Sequence, residues 1–318
     1  MKTIEWGFLI VNYLFLGGLS AGLFFVSALA TFLYKIEEPS PYTRIARLGA
    51  LLAPWPVMIG CLLLIFDLGR WYKLYELFLH QRLVSPMSIG SWLLVMFNLV
   101  ALVNCYAWLT ESQRNALFAR LPRWLAFLSH CNCDIDHWRR RLALAGLPIS
   151  VGVGIYTGVL LGAVQSRPFW NTNLVAQLFL FSALSTGCAT IILGISGRHE
   201  AAQELKLLYG LDVCFMVLEF FIVVPYLIHG QLSVQAVQDS LTLILGGPFT
   251  VLFWVFFLGL GLLIPLGIEV RELIPVVLSN REFHYNRILA TTTALLILGG
   301  GFLLRYVFVV AGQMSAFK

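Results

Sequence analysis

The chain has 318 residues, of which 59% are hydrophobic and 12% charged, with a net charge of +5 and a mean hydropathy of +0.84. A soluble domain carries about 25% charge, so a water-soluble globule is excluded and the bilayer is the solvent. Only helices or a closed barrel cross a bilayer, and continuous apolar runs of about twenty residues exclude the roughly ten-residue alternation of barrel strands.

Eight apolar segments follow in order, at about residues 6–34, 45–66, 88–109, 142–163, 173–195, 205–229, 249–268 and 288–311. The first is far longer than the roughly 7–15-residue core of a cleavable signal, so it is expected to stay as a helix although Ser27-Ala28-Leu29-Ala30 resembles a cleavage site. It carries Asn12 in its outer half and the small-residue run Gly17-Gly18-Leu19-Ser20-Ala21-Gly22, which lets helix backbones pack closely. The second segment ends Phe66-Asp67-Leu68-Gly69-Arg70, with Asp67 and Arg70 three apart and so on one face.

The long connection after the third segment holds Cys131 and Cys133 beside His130 and His137. A lone CxC lacks the paired spacing of a zinc site, so reduced thiols in a basic, membrane-surface loop are expected, with no metal and no disulfide. The fourth segment carries Tyr156 near its outer end, followed by the rigid amphipathic loop Gln165-Ser166-Arg167-Pro168-Phe169-Trp170-Asn171-Thr172.

The fifth segment repeats the small-residue pattern of the first as Ser182-Ala183-Leu184-Ser185-Thr186-Gly187. Tyr156 and Gly162 recur in the eighth as Tyr306 and Gly312. Together these point to parallel repeats, residues 1–163 and 173–318, each of four helices. On the sixth segment Asp212, Glu219 and Tyr226 are seven apart. Successive members therefore turn by only about 20° and rise about 10 Å. Two readings stay open for this stripe: a water-filled proton conduit from the cytoplasm to an outer pocket, or an interhelical hydrogen-bond stripe with Glu219 set against Arg305 of the eighth helix.

The basic excess, 21 Lys and Arg against 16 Asp and Glu, lies between the apolar runs and forms no single patch, so no nucleic-acid partner is expected. The first, third, fifth and seventh connections hold fourteen of these cations and the other side, with both termini, holds seven. The positive-inside rule then puts both termini in the periplasm. Asn12, Asp67, Arg70, Tyr156 and Arg167 accordingly share one depth at the outer boundary. A quinol needs an apolar slot, hydrogen-bond partners for two oxygens and a proton acceptor, which this set could supply.

Of six histidines only His229 lies at a span end, so a bis-His haem is not expected. No phosphate-binding glycine loop, HExxH or paired CxxC occurs, so neither nucleotide hydrolysis nor an iron–sulfur cluster is expected in this chain.

The stretches Tyr13 to Gly22, Asp67-Leu68-Gly69-Arg70, Tyr156-Thr157-Gly158-Val159-Leu160-Leu161 with Pro168-Phe169-Trp170-Asn171-Thr172, and Leu304-Arg305-Tyr306 with Ala311-Gly312-Gln313 resemble the polysulfide reductase membrane-subunit family, also called NrfD/PsrC-like. The resemblance implies an all-α integral membrane protein of eight helices in two four-helix bundles, in the bacterial cytoplasmic membrane. It implies exchange of electrons between menaquinol or ubiquinol and a periplasmic four-cluster iron–sulfur subunit, which serves a molybdopterin or multihaem catalytic subunit. Asn12, Asp67, Tyr156 and Arg167 match positions of that family's quinone pocket, with Tyr156 the foremost candidate to bond a quinol oxygen. Where some relatives carry a His one turn after the first-helix Asn, this chain has Leu16.

The sequence is thus read as a quinol-oxidising anchor: Tyr156 and Asn12 orient the quinol, Asp67 balanced by Arg70 takes its proton, and Arg167, Phe169, Trp170 and Asn171 face the partner. Asp212, Glu219, Tyr226 and Arg305 form the candidate proton path. The competing expectations are a proton-coupled transporter built of parallel repeats and a purely structural anchor.

Overall fold

The computed structural model describes residues 6–33, 41–67, 85–120, 135–197, 201–279, 283 and 285–315. Eight helices are long and apolar enough to cross a membrane: span 1 (Phe8–Leu33), span 2 (Tyr42–Asp67), span 3 (Pro86–Ala107), span 4 (Asp136–Gly162), span 5 (Leu174–Ile195), span 6 (Ala202–Gln231), span 7 (Leu252–Val276) and span 8 (Arg287–Met314). The protein is a multi-pass membrane protein, and every regular element among the described residues is helical. Arg70, Cys131, Cys133 and His130 lie outside the described residues.

Spans 1 and 5 form the centre, with 72% of their most apolar stretch buried, whereas span 3, at 28%, leaves most of its surface uncovered by the rest of the chain. Their small-residue runs are the reason. A Cβ placed on Gly22 would lie 2.0 Å from the Ala183 carbonyl, and one on Gly187 would lie 2.3 Å from Gly22, so the two copies of the repeated motif cross with their backbones in contact. Span 1 also packs on spans 2, 4 and 8; span 3 lies against spans 2 and 4. The same neighbour relations recur as span 5 on 6 and 8, and span 7 on 6 and 8. Gly261 and Gly300 provide the close approach of spans 7 and 8.

Span 2 is two helical pieces, Pro41–Leu52 and Pro54–Asp67, because Pro54 and Pro56 have no N–H to continue the ladder. Span 1 covers the kink: Ser20 Oγ donates to the Ala53 carbonyl, and Ser27 Oγ donates to the Ala46 carbonyl at 2.6 Å.

Span 7 opens with π-helical turns over Leu252–Leu263 and becomes α-helical at Ile264–Ser279, changing winding beside Pro265. It runs well past the expected end at 268, because Glu269 packs inward where composition signals a boundary.

One end of the molecule is tied by its own termini. The Trp6 N–H donates to Gln313 Oε1 at 2.8 Å and Gln313 Nε2 donates back to the Trp6 carbonyl at 2.9 Å. Arg167 Nη1 donates to the carbonyls of Gln313 and Ser315, while Trp170 Nε1 donates to the Phe308 carbonyl at 2.7 Å and its ring centroid lies 5.2 Å from that of Trp6. Trp6, the C-terminal stretch Gln313 to Ser315 and the loop Gln165–Thr172 therefore share one end.

Candidate functional site

Between spans 1 to 4, in the half of the membrane nearest the termini, lies a cavity of about 500 Å³. Its walls are almost wholly aliphatic, with Met58, Leu62 and Ile65 from span 2, Met87, Val95 and Leu99 from span 3, and Leu160 from span 4. Met58, Leu62, Met87, Val95 and Leu99 are themselves exposed on the flank of the protein, so the cavity opens sideways to the acyl chains between spans 2 and 3. That is how a lipid-soluble ligand would enter.

Polar groups occur only at the inner wall. Tyr156 is 8% exposed, and its phenol end packs against the backbone of Gly90, where an added Cβ would meet the ring at 1.8 Å. Tyr13 stands beside it with its buried hydroxyl turned toward the Tyr156 phenol, outside ideal hydrogen-bond geometry. Asn98 Nδ2 donates to the Leu94 carbonyl at 2.8 Å, which leaves its buried Oδ1 without a partner. Cys61 lies next to Asn98 on the same wall, and Ser91 completes it. Unsatisfied buried oxygens are costly in an apolar medium, and here two of them border an apolar slot.

Of the residues expected at this site, the structure brings Tyr156 into the cavity. Asn12 does not line it; its side-chain amide donates to the Phe8 carbonyl of its own helix at 2.8 Å. Asp67 is exposed at the end of span 2, its carboxylate directed at Gly7, about half a turn around the helix from Met58. Arg167 ties the loop to the C-terminal residues and does not line the cavity either.

Phe169 and Trp170, expected to face a partner, are each 1% exposed and pack inside this chain, Phe169 against Tyr226 and Phe308; Asn171 remains on the surface. The loop is amphipathic as the sequence suggests, but its aromatic side is the inner one.

Tyr13 and Asn98 escaped the sequence reading. Asn98 is an amide in the middle of an apolar span, the same signal that singled out Asn12, and Tyr13 follows Asn12 directly.

In the other half, Asp212, Glu219 and Tyr226 are all buried on the face of span 6 that packs against span 5. Arg305 is fully buried and donates from Nη1 to Ser182 Oγ at 2.8 Å and to the Gly301 carbonyl at 2.7 Å, and from Nη2 to the Phe179 carbonyl at 3.2 Å. Its guanidinium lies 5.3 Å from the Phe179 ring centroid and 5.8 Å from that of Phe15, with Glu219 within electrostatic reach. Tyr226 Oη donates to the Phe169 carbonyl at 3.0 Å, which ties this stripe to the outer loop.

Eight membrane-spanning helices, with a lipid-open, polar-tipped cavity among spans 1 to 4, define the class as a polytopic helical membrane protein. Residues 1–316 match the family described as polysulphide reductase, NrfD, and the chain belongs to that family. It is 30% identical to Protein NrfD of Escherichia coli strain K12, covering 99% of this chain and 96% of that protein. It is 31% identical to the polysulfide reductase C-chain of Wolinella succinogenes, covering 98% and 95%. A more distant relative, at 24% identity over 98% of this chain and 72% of its own, is an Hdr-like menaquinol oxidoreductase integral membrane subunit of Archaeoglobus fulgidus.

Proposed function

We propose that this chain is the quinol-oxidising membrane anchor of a respiratory reductase complex. The observation that carries the reading is the cavity between spans 1 and 4: about 500 Å³, apolar, open to lipid, and tipped by Tyr13, Tyr156 and Asn98. Family membership supports it, since these relatives carry the names of polysulfide reductase and menaquinol oxidoreductase membrane subunits.

The ring of menaquinol or ubiquinol would lie against the aliphatic wall with its tail between spans 2 and 3. The Tyr156 and Tyr13 hydroxyls hold one quinol oxygen, and Asn98 Oδ1 accepts from the other hydroxyl. Oxidation of a quinol gives up two electrons and two protons. Asp67, at the aqueous rim two residues beyond Ile65 of the cavity wall, receives protons on their way out, with Arg70 as its expected neighbour. Electrons pass across the outer end to a four-cluster iron–sulfur subunit seated over Gln165, Ser166 and Asn171, and from there to a molybdopterin or multihaem catalytic subunit.

In this reading spans 1–4 and 5–8 are two four-helix bundles joined at Gly22 and Gly187. Both termini face the periplasm, following the fourteen-to-seven division of Lys and Arg, and the membrane is the bacterial inner membrane.

A quinol-analogue titration on the purified complex tests the pocket. Tyr156→Phe removes one hydrogen bond worth about 0.5–1.5 kcal/mol, so affinity should fall roughly 2–10-fold. Asp67→Asn should leave affinity unchanged and lower quinol-driven turnover. Unchanged affinity and turnover in both variants would sink the assignment.

A further inference from the structure

Nothing in the quinol chemistry uses Glu269. It is fully buried in span 7, and both of its carboxylate oxygens lack a hydrogen-bond partner; Asp212 on span 6 is as deeply buried, with only the Ser185 hydroxyl near enough to approach it. The two carboxylates lie within electrostatic reach of each other. Ser185, 1% exposed, sits beside Asp212 as the one hydroxyl within reach of it, and the buried Cys188 thiol lies near both acids.

The remaining ionisable neighbours are Tyr209, Glu219 and Glu272, with Arg271 beside Glu272 and Arg305 beside Glu219. No Lys, Arg or His forms an ion pair with either acid of the pair among the described residues. Burying two carboxylates without a cation beside them is costly, and like charges at close quarters disfavour double ionisation. Among the described residues no three His, Cys, Asp or Glu converge to hold a metal ion.

We propose that Asp212 and Glu269 form a proton-holding pair at the heart of the second half of the molecule, fed from the end opposite the termini. Glu272, half-buried one turn from Glu269, is the mouth, and Tyr209 lies between it and the pair. Onward from Asp212, the rise of about 10 Å to Glu219 is bridged on span 5 by Ser185 beside Asp212 and Ser182 beside Glu219. Tyr226 and a cavity of about 10 Å³ lined by Tyr226, His229 and Asn171 lead to the outer face; that volume is near the minimum for one water.

The step is proton movement alone: one carboxyl O–H breaks as a neighbouring oxygen gains the proton, and no electron moves. Arg305, held by Ser182 and the Gly301 and Phe179 carbonyls, stays as the fixed countercharge at Glu219.

This deepens the proposed function and rests on it for its driving reaction, so two measurements are paired. The first is infrared difference spectroscopy of the purified complex during a pH step. It should show a protonated-carboxyl band in the native protein that Asp212→Asn and Glu269→Gln each remove and Glu269→Asp shifts. The second is quinol oxidation by the complex in proteoliposomes. Both amide variants should lose proton uptake from the side opposite the termini while uncoupled turnover and quinol-analogue affinity stay within about twofold of native.

Native proton uptake in both amide variants, or an unaltered carboxyl band, overturns the pair. If the native complex oxidises no quinol, the proposed function fails, and the infrared band alone decides the pair. If the amide variants do not assemble, the band shift in Glu269→Asp decides it.

Discussion

Gly90 shows how one absent side chain shapes the cavity. The Tyr156 ring occupies the space a Cβ would need, 1.8 Å from the ring, so the phenol is held at the cavity wall by a backbone surface on one side and Tyr13 on the other. A methyl there must displace the ring, a clash of the overpacking kind that costs about 1–3 kcal/mol. Gly90→Ala should therefore weaken quinol-analogue binding at least as much as Tyr156→Phe, read by the same titration; full affinity would mean that Tyr156 does not need its present position. At this scale the sequence was a partial guide. Tyr156 was legible because a phenol near a span end followed by an aromatic, Pro-containing loop is a distinctive local pattern. Asn12 was misleading: a side-chain amide inside a helix can satisfy itself on the carbonyl four residues back, as it does on Phe8, and only the packing of spans 3 and 4 reveals that Asn98 has an oxygen left over.

Among the elements, the crossing of spans 1 and 5 is the most demanding contact. The two small-residue runs were readable as packing motifs and as copies of one another, but a linear pattern does not say what it packs against. The structure gives the answer that each packs on the other, Gly22 on Gly187. Substitution of Gly22 by Val puts side-chain atoms where the Ala183 carbonyl stands, and should lower the melting temperature of the purified protein, with a cost of at least about 1–3 kcal/mol. The same change at Gly210, which has open space around it, should leave the melting temperature near native. Equal melting temperatures in the two variants would contradict the crossing. Helix ends were harder to read than helix existence. Hydropathy stops span 7 at the first acid it meets, yet Glu269 is fully buried and the helix continues, because the surface that covers this residue comes from spans 5 and 6.

For the molecule as a whole, eight spans were evident from composition and length alone, since the bilayer leaves so few alternatives. The orientation rests on the distribution of Lys and Arg and is open to direct test. On a background with Cys131 and Cys133 replaced by Ser, Gln235→Cys, exposed between spans 6 and 7, should react with an impermeant maleimide in intact spheroplasts, whereas Gln113→Cys, exposed beyond span 3, should react only after lysis. The reverse pattern would invert the topology and put the cavity near the cytoplasmic face.

In the proposed function a quinol enters between spans 2 and 3 and lodges against Tyr156. Photo-crosslinking of an azido-quinone to the purified complex, followed by peptide mapping, addresses it most directly. Label is expected on the span 2 and span 3 peptides that carry Met58, Leu62, Met87 and Val95, competed away by excess quinol and weakened in Tyr156→Phe. Competable label confined to spans 5 to 8, with none on spans 2 and 3, would contradict it.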